Sequence, residues 1–144
     1  MKVFVLHYSH WDESEIYGVY TEDAMKKELI RYAEWGKEKN RKAIVEQEKR
    51  IETLKTNRYK LGQRDREIQE QQKQLKADNK KAAAVLKSER KRIARDMAGL
   101  ATSIQNQEIG LAKMKSFTDD ELAQQELQRS HLYFEEFHVL GHED

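Results

Sequence analysis

Two segments that read as β-strand stand at opposite ends of a chain whose middle reads only as helix, and that arrangement limits the folds open to it. Near the start, KVFVLHYS and EIYGVYT are rich in β-branched and aromatic residues, and the polar HWDESE between them predicts a β-hairpin. Near the other end HLYFEEFHVLG has the same character, with Leu132, Phe134 and Leu140 on one face and Tyr133, Phe137 and Val139 on the other. A lone hairpin is marginal in water, so the third strand is expected to return and pair with it. The intervening stretch of about a hundred residues lacks proline and is dominated by Glu, Lys, Arg, Gln, Ala and Leu, all good helix formers. At about 1.5 Å per residue, one unbroken helix would carry the strands far apart. The helix must fold back.

The apolar spacing says where. Ile44, Ile51, Leu54, Leu61, Ile68 and Leu75 follow a heptad seam in which one of the two core positions is often missing. Beyond Ala82, the residues Leu86, Ile93, Met97, Leu100, Ile104 and Leu111 continue it. A reversal near Asp78 and Asn79 sets Leu75 opposite Ala82, Leu61 opposite Met97, Leu54 opposite Ile104 and Ile44 opposite Met114. The fold class expected is therefore α+β: a long antiparallel helical (coiled-coil) hairpin inserted in a small three-stranded β-sheet head. The head takes residues 1–36 and 117–144, and the arm takes 37–116 with its tip near 77–80. Each leg of the arm would be about 55 Å long.

Local signals mark the junctions. Thr21 can cap the first helix, with Glu22 and Asp23 in the turn where the helix dipole favours acids. Gly36, beside Trp35, is a weak point because Gly costs roughly 1 kcal/mol relative to Ala in a helix interior. Thr118 and Glu121 have capping-box spacing, and Phe117 and Leu122 stand at the staple positions. Met25, Leu29, Tyr32 and Trp35 are expected in the head core, and Tyr59 is expected over Gly99. Four polar residues, Arg58, Asp65, Gln72 and Asn79, recur at heptad spacing where apolar ones would normally sit. In this register Leu86, Ile93 and Leu100 face Gln72, Asp65 and Arg58. Their apolar surface would be incompletely covered, so these three are the candidates for self-association and the chain is expected to form a homo-oligomer.

The formal net charge of +1 hides a separation of sign. Residues 37–115 hold 22 of the 27 basic residues but 11 of the 26 acidic ones, a net +11, against −10 elsewhere. Between 58 and 96 there are 13 basic and 6 acidic side chains. Arg58, Lys60, Arg64, Arg66, Lys73, Lys76, Lys80, Lys81, Lys87, Arg90, Lys91, Arg92 and Arg95 thus form a candidate track for phosphates or another anionic partner. A solvated coiled-coil surface explains a high density of charge, but not an excess of one sign. With Tyr59 as its single aromatic, the arm offers little base stacking, so binding should tolerate any sequence. Conversely, Asp12, Glu13, Glu15, Asp119, Asp120, Glu121, Glu135 and Glu136 of the head could mimic phosphates on a basic groove. Helix capping already accounts for Asp119 to Glu121.

Other chemistry finds little support. His7 with His10 and His138 with His142 form two close pairs, but neither spacing is a metal signature. There is no Gly-rich phosphate loop and no local nucleophile motif. No catalytic residue, metal or cofactor is assigned, and an enzyme is not expected. The absence of Cys excludes a disulfide framework and fits a reducing compartment. VFVL is too short for a signal peptide, and no run approaches the roughly 20 apolar residues of a membrane span. A cytoplasmic protein with no membrane partner is expected.

The terminal pattern MKVFVLHYSHWDESEIYGVYT, followed by AMKKEL and later LYFEEFHVL, resembles small uncharacterised phage and bacterial proteins. These have a strand, an acidic loop, an IxGVY/F strand, a helix opening on Thr or Ser, and a closing aromatic strand. The likeness covers the head, with the basic arm as an insertion, and transfers no functional residue. What it implies is a phage or mobile-element accessory protein in the host cytoplasm that acts by binding, on host or defence machinery such as a CRISPR effector. Three readings follow: an arm that engages nucleic acid or a nucleoprotein, a protein-binding inhibitor or adaptor using the coiled-coil surface or the acidic head, and a structural oligomer. Salt separates them, because phosphate contacts weaken steeply with ionic strength and apolar ones persist.

Overall fold

The computed structural model describes residues 1–140. Three strands, β1 (Lys2–His10), β2 (Glu13–Tyr20) and β3 (Leu132–His138), enclose in sequence three helices, α1 (Glu22–Gln74), α2 (Lys80–Lys115) and α3 (Asp119–Arg129). The chain is α+β, with an antiparallel sheet in the order β2-β1-β3. It divides into two compact units, a head of residues up to Ala43 and from Ser116 onward, and a hairpin of Ile44–Lys115.

In the head, β1 is central and pairs antiparallel on both sides. Pairing extends to His10 opposite Glu13, so only Trp11 and Asp12 remain to make the turn, where the sequence predicted six loop residues. Trp11 holds a left-handed φ of 56°. Such a conformation costs a non-glycine residue about 1 kcal/mol, and propensity alone does not foresee it there. A register shift between Leu6 and His7 makes room for Tyr17, which stacks on Tyr8 with ring centres 5.5 Å apart.

Alternation along the strands gives the sheet two faces. Leu6 and Leu132 meet Tyr32 and Ala33 of α1 and Ala123 and Leu127 of α3 in a buried core, edged by Tyr8, Tyr20, Leu29 and Phe134. Burial raises the pKa of the Tyr32 phenol. Trp35, predicted in this core, is 49% exposed, with the Arg31 guanidinium 5.1 Å from its ring centre. Its ring and that of Tyr32 meet edge to face, with centres 5.3 Å apart.

α3 forms for the reasons read from its sequence. Thr118 caps it, and Glu121 closes the capping box. Its buried residues Leu122, Ala123, Glu126 and Leu127 share one helical face. Gly36, taken from sequence as a dividing point, lies inside an unbroken α1 and inside the head. It is buried, and a Cβ there would stand 2.9 Å from the Leu122 carbonyl oxygen. Glycine at this position serves close approach of two helices rather than a break. One turn on, Lys39 Nζ reaches Glu126 Oε2 at 2.7 Å, while Arg129 Nη1 reaches Oε1 at 2.6 Å. Two cations thus satisfy a carboxylate that is 4% exposed.

In the hairpin, Asn79 caps α2 by accepting from the Ala82 amide at 3.2 Å. Ile51, Ile68 and Ile93 are buried on the seam, and buried Gln47 donates from Nε2 to the Gln107 side chain and backbone carbonyl. Lys55 to Glu108 and Lys115 to Glu48 pair across the two legs. Gly62 lies against Met97, in keeping with the register that sets Leu61 opposite Met97.

Candidate functional site

The hairpin sorts its thirteen basic candidates into two groups. Arg64 Nε donates to Glu89 Oε1 at 2.9 Å and Nη1 to Glu67 at 3.3 Å, and these bonds, the one to Glu89 foremost, raise its pKa. Arg90 Nε donates to Asp65 Oδ1 at 3.0 Å and Nη1 to Gln72 Oε1 at 3.1 Å. Lys73 pairs with Glu70 along its own helix. Those three are paired, Lys73 only on the exposed surface. Arg58, Lys60, Arg66, Lys76, Lys80, Lys81, Lys87, Lys91, Arg92 and Arg95 are exposed and meet no carboxylate at ion-pair distance among the described residues. Uncompensated cations at this density create a positive potential over that part of the hairpin.

The polar heptad column resolves into separate roles. Asp65 and Gln72 take the two bonds from Arg90, which lies one turn from Ile93. Asn79 is a helix cap, and Arg58 stays exposed. One expectation fails here. Ile93, named with Leu86 and Leu100 as uncovered apolar surface, is 5% exposed and has none to offer a second copy, and the other two are half-buried. The bridge made by Arg90 allows the seam to close beside polar residues. Tyr59 also departs from its expected place. A Cβ built on Gly99 meets nothing within 4 Å, whereas the Tyr59 hydroxyl accepts from Gln63 on its own helix and the ring is 61% exposed.

Several clefts run between the legs of the hairpin, and two of them meet at Met97. One is lined by Asp65, Gln72, Lys87, Arg90, Lys91, Ile93, Ala94 and Met97, the other by Lys55, Arg58, Tyr59, Gly62, Arg66, Met97 and Ile104. Met97 belongs to both, so they adjoin as one groove whose apolar floor is interrupted by the Arg90 bridge to Asp65 and Gln72 and whose rim carries unpaired cations. Its α1 side is spaced at three and four residues, one helical face. Lys60, Lys81, Arg92 and Arg95 do not line it.

The acidic candidates of the head are also divided. Asp119 pairs with Lys37 at 3.1 Å and raises its pKa, Glu136 pairs with Lys2 at 3.3 Å, and Glu121 serves the cap. Glu135 comes 3.0 Å from His7 Nε2, but that buried nitrogen makes no hydrogen bond, so the contact is a close approach only. Asp12, Glu13, Glu15 and Asp120 are exposed and unpaired among the described residues. On the sheet face away from the core, Ile16, Val19, Tyr133 and Phe137 are exposed beside Val5 and His7.

Among the described residues no three His, Asp or Glu side chains gather as a metal-binding set. His142, half of one sequence pair, lies outside those residues. No described helix is long and apolar enough to cross a membrane. Comparison with protein-family models, curated proteins and solved structures found no match to this chain.

Proposed function

We propose that the chain is a non-enzymatic binding protein whose basic hairpin engages nucleic acid or a nucleoprotein, and that it serves as a phage or mobile-element accessory factor in a host cytoplasm. The observation that carries this reading is the set of exposed hairpin cations, Lys60, Lys91, Arg92 and Arg95 among them, with no acidic partner among the described residues. Phosphate contacts release counterions, so six of them would cost about a thousandfold in affinity between 50 and 200 mM salt. The test is titration of a labelled duplex and a labelled single strand over that range. Lys91→Glu with Arg92→Glu and Arg95→Glu should flatten the salt slope by about one contact per residue. An unchanged slope in the triple variant would sink the reading.

A second reading, a protein-binding inhibitor or adaptor of the anti-defence kind, draws on the exposed apolar sheet face of the head around Ile16, Val19, Tyr133 and Phe137. The same face would serve a structural homo-oligomer. Light scattering at low and high salt separates the two, since an oligomer built there persists when charges are screened.

A further inference from the structure

The groove of the hairpin has a chemistry that phosphate binding does not use. Its apolar floor is Met97, Ile104 and Ala94, the one acid in it, Asp65, is bridged by Arg90, and its rim is Arg58 and Arg66 on one leg and Lys87 and Lys91 on the other. None of the four rim cations has an acidic partner among the described residues. We infer that this groove docks an amphipathic helix of another protein, one with an apolar stripe flanked by Asp and Glu.

Three features favour that occupant. A groove between two antiparallel helices has the length and curvature of a third helix, and helix-in-groove recognition reads apolar anchors at three- and four-residue spacing. The seam is short of one core column, where Arg58, Asp65 and Gln72 stand, so a two-helix hairpin buries only Ile51, Ile68 and Ile93 well. A third helix would supply the missing apolar layer. The rim then selects its flanks, because four cations without partners attract carboxylates and repel a basic helix. A nucleic acid duplex would gain from the rim but nothing from Met97 and Ile104, and Tyr59 alone makes a poor base-stacking platform. The inference stands apart from the nucleic-acid reading, which rests equally on Lys60, Lys81, Arg92 and Arg95 outside the groove.

The test uses the full chain and three labelled synthetic peptides of about 21 residues: a helix with Leu at the core heptad positions and Glu on both flanks, the same helix with Lys flanks, and a scrambled Glu peptide. Fluorescence anisotropy should show micromolar binding of the first only, about half a decade weaker in 0.5 M salt but not lost. Amide chemical shifts should change at Gly62 and Ala94. Ala94→Gln, uncharged and at an exposed helical position, should weaken the peptide at least tenfold with helix content unchanged and duplex binding nearly intact. Lys60→Glu with Arg95→Glu should do the reverse. Equal binding of the Lys-flanked or scrambled peptide would overturn the inference, as would no binding at all. So would loss of duplex and peptide together in Ala94→Gln, which would make the groove a nucleic-acid seat.

Discussion

The head and the hairpin are stabilised by different means. The head closes an apolar core with residues from two strands and two helices, and Leu127 at its centre has no exposed surface. The hairpin buries isolated isoleucines and fills the intervals with polar bridges, Gln47 to Gln107, Arg64 to Glu89, and Arg90 to Asp65 and Gln72. The difference teaches that apolar packing sets the stability of the one, while polar pairs set the register of the other. It also explains why the hairpin carries surplus charge at little cost, since its cations remain in water.

That contrast can be broken by mutation. Leu127→Ala should cost about 2–5 kcal/mol in urea unfolding. A loss below about 1 kcal/mol would show that the head core is not what holds the sheet to its helices. Gly36→Ala comes next. Helix propensity says it should stabilise, but the Leu122 carbonyl at 2.9 Å from the new Cβ should make it cost about 1–3 kcal/mol. Gly99→Ala is its control in the hairpin. With open space around it, that change should raise stability by about 0.5–1 kcal/mol. If both glycines respond alike, close approach is not why Gly36 is there.

Arg90→Ala should cost about 1 kcal/mol, the value of charged hydrogen bonds discounted for a side chain still partly in water, and high salt should shrink the loss. Lys91→Ala should stay within about 0.5 kcal/mol. A double-mutant cycle of Arg90 with Asp65 sharpens the point, because coupling near zero would reduce the bridge to decoration. A comparably small effect belongs to the turn. Trp11→Asn, which tolerates the left-handed conformation, should raise the unfolding midpoint by the equivalent of about 0.5 kcal/mol.

Periodic and local features were legible in the sequence. The heptad column located the reversal beside Asp78 and Asn79, and Thr118 with Glu121 located the start of α3, since a repeating interval and a capping box are both read directly along the chain. The charge excess was also plain. Its partition was not, because whether Arg64 and Arg90 are spent on Glu89 and Asp65 depends on a leg of the hairpin about 25 residues away in sequence. Gly36 looked like a break for the same reason, as Leu122 is distant in the chain. Met97 and Ile104 read as ordinary seam residues, and only the geometry of the two legs shows that they floor an open groove. Trp11 gave no warning of its left-handed turn, and Trp35 read as core because its Arg31 neighbour was not recognised as a cover.

The order of the strands has a bearing on how the chain is born. β1 and β2 leave the ribosome before the helices, yet β3, which covers the other edge of β1, is made only after more than a hundred further residues. At about 5–20 residues per second that edge stays open for several seconds or longer. A nascent chain therefore leaves one edge of β1 unpaired while all three helices are made, the kind of edge on which neighbouring chains add strands. Only the completed return leg brings the cap, and a ribosome stalled on α2 would release a species prone to aggregate.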